Sequence, residues 1–385
     1  MPHPRKSIPL VLAIGLFTAV AAEAQQADSV QVDSSLVAEI ERELSGSRPD
    51  DVTERPPPIQ RALNSMNPEI SVIGDFRAWY LSNAERNVDF EMHEVETALG
   101  AVVDPYARAD VFISIAHEDG GFEFGLEEAY LTTLSLPYRL QLKAGKFRSV
   151  FGKLNRIHPH ALPYIDLPAV YRNFLGDEGL NDQGLSLSWL TPLVSFYQEL
   201  TVEVTRGPGD GPALGLSESN HLLYAGRLKN FWDLSEAATL EVGLSAASGP
   251  NPSGFTSVLG GLDLTYIWKP LQYNVYRGVT LQGEVFIVRN SIADDSHVRS
   301  WGGYALAGYR FARRWGVTGR YDHSDLPDDS SWNENGVSIT LGWYLTEFQK
   351  LEVGIRTADA SGMERHYQAL IRGVFVIGTH GAHQY

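Results

Sequence analysis

The strongest constraint on this chain is a period of two that runs from Glu69 to Gly378. Alternation of apolar with polar, small or charged residues puts the two sets on opposite faces of a strand. In "HYQALIRGVFVIG" (366–378), Tyr367, Ala369, Ile371, Gly373, Phe375 and Ile377 make one face, and Gln368 and Arg372 lie on the other. Sixteen segments of this kind follow one another: 69–81, 90–103, 107–117, 122–136, 138–151, 183–191, 195–206, 221–232, 238–247, 257–268, 277–289, 301–312, 315–323, 335–345, 349–358 and 364–378. Their connections alternate as well. Every second one is a tight turn ("DPYA", "LPY", "TPLV", "DLSEA", "KPLQ", "ARRW", "TEFQ"), and four of these contain a proline, which stops strands and favours turns. The remaining connections are longer and more polar, the longest being 152–182.

The faces repeat from segment to segment. Val337, Ile339, Leu341 and Trp343 oppose Ser338, Thr340, Gly342 and Tyr344; Leu351, Val353 and Ile355 oppose Glu352, Gly354 and Arg356; Leu240, Val242 and Leu244 oppose Glu241, Gly243 and Ser245. A soluble barrel would turn the apolar face inward and a membrane barrel would turn it outward. Sixteen strands enclose a lumen too wide for side chains to fill, so an apolar interior would be an open void. Aromatic residues near segment ends (Trp79, Tyr80, Trp189, Trp232, Trp268, Trp301, Trp315, Trp343, Tyr344) suit girdles at two membrane interfaces. Loops sorted by length to opposite ends suit the same architecture. The fold expected is all-β: a 16-stranded antiparallel transmembrane β-barrel with a long third loop folded inward. Closure is obligatory, because a free edge in lipid strands backbone donors and acceptors. An even strand count returns both ends of the barrel to the same side.

The start of the chain differs. Arg5 and Lys6 precede "SIPLVLAIGLFTAVAAEA", and Ala22-Glu23-Ala24 matches a small-x-small cleavage pattern, so residues 1–24 read as a signal peptide for export. Residues 25–68 read as a periplasmic leader. It carries a short helix with Leu36, Val37, Ile40 and Leu44 on one face and a stiff "RPPPIQ" spacer. The barrel is expected over 69–385, in the bacterial outer membrane. The chain has no cysteine, which excludes disulfides and thiol chemistry, and its net charge of −16 argues against nucleic acid as a partner.

The sixteen-segment layout, the stretch "LQLKAGKFRSVFG" entering the third loop and the terminal strand with aromatic Tyr385 resemble bacterial outer-membrane porins of the phosphate-selective O/P type. "HPHALP" and the "HGAH" tail resemble barrels labelled zinc-regulated outer-membrane, TonB-dependent receptor-like proteins. A receptor of that kind implies 22 strands and a large plug domain, whereas only residues 25–68 stand before this barrel. The porin resemblance implies passive diffusion of small polar or ionic solutes, and a homotrimer by analogy.

A long structured loop is usually functional. Folded inward, 152–182 would bring Lys146, Arg148, Lys153, Arg156 and Arg172 to a constriction facing Arg139, Lys143, Arg227, Arg320, Arg356 and Arg372. A basic ring would favour anionic solutes. Pairing with Glu94, Glu96, Asp110, Glu127, Glu241, Glu284 or Glu352 would leave a balanced lumen instead. His158 and His160, and separately His380 and His383, are candidate metal ligands. A metal-related transporter or receptor is therefore the first alternative. No G-x-S-x-G, H-E-x-x-H or phosphate-cradling glycine loop occurs, so no enzyme activity and no cofactor are expected. A barrel-borne hydrolase assembled from distant strands is the second alternative.

Overall fold

The computed structural model describes residues 68–378 apart from 83–86, 119–120, 208–210, 216–221, 273–275 and 294–295. The expected signal peptide and nearly all of the leader lie outside the described residues, as do His380, His383 and Tyr385.

Sixteen strands form one closed sheet: β1 (Glu69–Leu81), β2 (Val88–Asp104), β3 (Ala107–Glu118), β4 (Gly121–Thr133), β5 (Leu140–Arg148), β6 (Asn181–Leu190), β7 (Tyr197–Thr205), β8 (Leu223–Ser235), β9 (Ala238–Pro250), β10 (Thr256–Trp268), β11 (Gly278–Ala293), β12 (Ser296–Ala312), β13 (Trp315–Asp325), β14 (Asn333–Tyr344), β15 (Gln349–Ala360) and β16 (His366–Gly378). Each pairs antiparallel with its neighbours in sequence. β16 returns to β1, with Ser71 opposite Gly378 and Leu81 opposite Gln368, so no edge is left unpaired.

Burial settles the orientation of the pleat. Leu244, Val337, Ile339, Ile355, Tyr367, Ile371 and Ile377 are exposed, while Glu241, Arg320, Glu352, Arg356 and Arg372 are buried. The exposed apolar residues therefore form the belt that faces acyl chains, and the charges point into the lumen. Near the short-turn end of the wall, Trp315 and Trp343 stand opposite each other in register and stack with centroids 5.6 Å apart. Their amphipathic rings suit the headgroup level.

Three expectations change. β11 and β12 stay paired as far as Ala293 and Ser296, so the strands take up nine of the eleven residues (290–300) expected as a polar loop. β5 begins only at Leu140, because Tyr138 and Arg139 both adopt left-handed backbone angles (φ 60° and 61°) and end the preceding turn. Arg139 is consequently exposed in that turn and does not point into the lumen as expected. Finally, the interior does contain an apolar core. The wall residues Ala225, Ala247, Leu259, Phe286, Val288, Tyr304 and Leu306 point inward and are covered by the loop between β5 and β6 (L3, 149–180). Side chains of the wall alone could not fill a sixteen-strand lumen, but a folded segment inserted into it can.

Candidate functional site in the lumen

L3 carries its own secondary structure. Pro168 precedes α1 (Ala169–Leu175), where Val170 and Phe174 lie four residues apart, as do Tyr171 and Leu175. Their spacing gives an apolar face, and it packs with Phe151, Leu154, Leu162 and Tyr164 against the inward apolar residues of the wall. The helix lies against β12, β13 and β14. Phe286 meets Phe151 and Tyr171, with ring centroids 5.0 Å apart in each case. At Gly152 (φ 66°) the chain turns so close to the wall that a Cβ would stand 2.4 Å from Tyr171 Oη and 2.7 Å from Glu284 Oε2. Glycine is the residue that tolerates both demands.

Polar groups complete the attachment. The buried Glu284 carboxylate accepts hydrogen bonds from Tyr304 Oη (2.7 Å), Tyr171 Oη (2.8 Å) and the Lys153 backbone N–H (2.8 Å). Asn155 closes the neck of the loop, donating to the carbonyls of Ser149 and Leu180 and accepting from Leu180 N–H. Buried polar groups are tolerated when they are satisfied in this way.

The basic residues expected at a constriction are brought into the lumen in large part, but as ion pairs. Arg148 meets Glu127 at 3.1 Å, Lys153 meets Glu241 at 3.2 Å, and Arg172 meets Glu334 at 2.8 Å. Arg320 lies between Asp322 and Asp166 of L3, at 3.0 and 2.9 Å, and its guanidinium covers the Tyr164 ring. Arg356 reaches Asp166 and Glu334. Arg227, between Asp263 and Glu241, extends the series. Arg372 is fully buried. Its Nε donates to Glu352 at 2.7 Å, and its two terminal nitrogens donate to the L3 carbonyls of Pro159 (3.0 Å) and Leu162 (2.7 Å). Lys143 faces the lumen with its ammonium 4.1 Å from the Tyr130 ring centre, and Arg156 is half-buried on L3 nearby. Lys146 departs from the expectation. Its register partner Ala129 lies on the outward face with Leu131, so Lys146 is turned away from the lumen and donates to the Leu126 carbonyl.

The two histidines of "HPH" were legible as a pair, but their partners were not. Pro159 opens a single 3-10 turn, which sets the His158 and His160 rings 5.7 Å apart. A bulge opposite Phe112–Ile113 gives β4 one extra residue, so Glu127 and Glu128 both serve the lumen. His158 is held between Glu96 of β2 (Nδ1 to Oε2, 2.8 Å) and Glu128 (Nε2 to Oε1, 2.8 Å), stacked on Phe112. Burial pulls the His158 imidazole down, but the hydrogen bonds to Glu128 and Glu96 outweigh it and push its pKa up to about 9. Glu96, His158 and His160 place one ligand atom each within 4.8 Å of one another.

A closed sixteen-strand barrel with an outward apolar belt, an inward-folded third loop and a charged lumen defines an outer-membrane barrel of the porin type, and the bacterial outer membrane is where it resides. Within that class the chain belongs to one family with an uncharacterized protein of Aquifex aeolicus (strain VF5), which is 31% identical over 342 residues, 77% of this chain and 70% of that protein. No family model matches. Among solved structures the fold is similar to the outer-membrane channel DcaP of Acinetobacter baumannii (TM-score 0.57, 10% identity, 82% of this chain and 98% of that one). It is also similar to an anion-selective porin from Comamonas acidovorans (0.57, 10%, 81% and 99%) and to a trimer form of OmpT of Vibrio cholerae (0.54, 9%, 81% and 100%). These likenesses describe the fold.

Proposed function

We propose that the protein is a passive channel for small polar and ionic solutes, with a narrow water-filled passage running beside L3 along the inner face of β1–β5. One observation carries this reading: burial of the lumen's charged groups is lopsided. On β8–β16, Arg227, Asp263, Glu284, Arg320, Asp322, Glu352 and Arg372 are buried under L3. On β1–β5, Asp75, Glu96, Glu128 and Arg148 are buried too, but Arg77, Glu91, His93, Arg108, Asp110, His117 and Lys143 are only half-buried, as expected of side chains that border water. The passage is weakly selective. Arg77 is matched by Asp75 and Arg108 by Asp110 and Glu69, while Glu91 faces His93 and His117. A phosphate-selective or generally anion-selective channel needs arginines whose field is not cancelled, and most of the lumen arginines here have carboxylate partners. A homotrimer is proposed on the analogy with the trimer form of OmpT. No catalytic role is assigned.

Recording from the folded protein in planar bilayers tests the reading. Ohmic current is expected with no energy source, and a salt gradient should give a reversal potential close to zero. Absence of current, or a strong anion preference, would overturn it.

A further inference from the structure

We propose that Glu96, His158 and His160 bind one divalent transition-metal ion, which clamps L3 to the β2 side of the barrel wall. This goes beyond the channel reading and does not depend on it.

The donor set is two imidazole nitrogens and one carboxylate oxygen, all from buried residues and mutually within 4.8 Å. Zinc and its first-row neighbours accept such a set, with a fourth position left for water. Magnesium and calcium, which prefer six or more oxygen ligands, do not suit it. The surroundings support the same assignment. Glu128 holds Nε2 of His158 at 2.8 Å, the carboxylate–histidine arrangement that orients a metal-binding ring and leaves the other nitrogen for the ion. That other nitrogen, Nδ1, is the one that faces Glu96. Glu96 is 1% exposed, and its Oε1 has no hydrogen-bond partner. An unsatisfied buried carboxylate oxygen is costly, and a cation bound beside it offsets the cost. Binding needs no redox partner: the metal–nitrogen bond forms as the Nδ1 proton of His158 passes to solvent.

The position gives the ion a role. The apolar core and the arginine pairs fasten L3 to β8–β16, and His158 and His160 lie on the part of L3 that reaches β2 and β4. A bound ion would fasten that flank as well.

The test uses the full chain folded in detergent, stripped with a chelator and titrated with Zn²⁺ by calorimetry and with Co²⁺ by visible spectroscopy. Wild type is compared with His160→Ala, Glu96→Gln and Glu128→Gln, and an unchanged heat-dependent shift on gels verifies that each variant is folded. His160→Asn replaces the alanine variant if that one fails to fold. Wild type should show one more Zn²⁺ equivalent than His160→Ala or Glu96→Gln, and a tetrahedral Co²⁺ spectrum that both variants lose. Glu128→Gln should weaken binding about 10–100-fold, and excess Mg²⁺ should not compete. Superimposable titrations of wild type and His160→Ala, or equal competition by Mg²⁺, would overturn the proposal. Because binding is read without current, its failure leaves the channel reading untouched.

Discussion

Replacing Arg372 by alanine is expected to destabilise the protein by about 3–5 kcal/mol, the range for removing one partner of a buried ion pair. Three attachments go at once. Glu352 loses its closest cation and, among the described residues, keeps Lys350 at 3.4 Å. The carbonyl of Pro159 loses a donor, and that of Leu162 retains Lys350 among the described residues. Since two of the three bonds end on L3, the loss should appear first as loosening of the loop. Urea unfolding in lipid vesicles gives the magnitude, and limited trypsin digestion gives the place, with cleavage at Lys153, Arg156 or Arg172 in the variant and a resistant loop in wild type. A variant within about 1 kcal/mol of wild type, the scale of an exposed pair, and equally resistant would show that Arg372 does not hold L3.

Ile339→Arg probes the opposite face. Ile339 lies in the middle of β14, is 50% exposed, and pairs with Gly319 and Ile355 in the lipid-facing belt. An arginine at the bilayer midplane of such a barrel costs about 2–4 kcal/mol, falling to about 0–1 near the interfaces. Tyr309→Arg, outward-facing near the end of β12 beside Phe311, should therefore be nearly silent. Folding titrations into vesicles compare the two. Equal small effects would mean that the apolar face does not meet hydrocarbon.

The wall was legible in the sequence because lipid on one side and water or charge on the other impose a strict alternation. Stretches such as 337–343 and 351–356 satisfy it at every position. The lumen was less legible, because its contacts join residues far apart in the chain. Arg372 meets a carbonyl 213 residues away, and Arg320 a carboxylate 154 residues away. The sequence therefore left a basic ring and a balanced lumen both open, and the fold makes pairs, among them Arg148 with Glu127 and Lys153 with Glu241. One signal did point to the plug. Around 285–288, Val285 and Ile287 face lipid while Phe286 and Val288, on the other face, are also apolar. A strand apolar on both faces needs a second apolar partner inside, and Val170, Tyr171, Phe174 and Leu175 of α1 supply it. Glu96 could not be matched to His158 from spacing, because β2 and L3 meet only once the barrel has closed. The displaced residues have local causes. Arg139 follows a left-handed turn, and Lys146 takes the outward parity of Ala129 and Ala144.

The central claim is that water crosses the barrel on the β1–β5 side of L3 and is excluded on the other. The chain has no native cysteine, so single cysteines report on each side without background. During bilayer recording, Lys143→Cys is expected to react with a charged, membrane-impermeant thiol reagent and the current to fall, while Phe286→Cys, behind L3, stays unreactive and its current is unchanged. Block at position 286 with none at 143 would contradict the account.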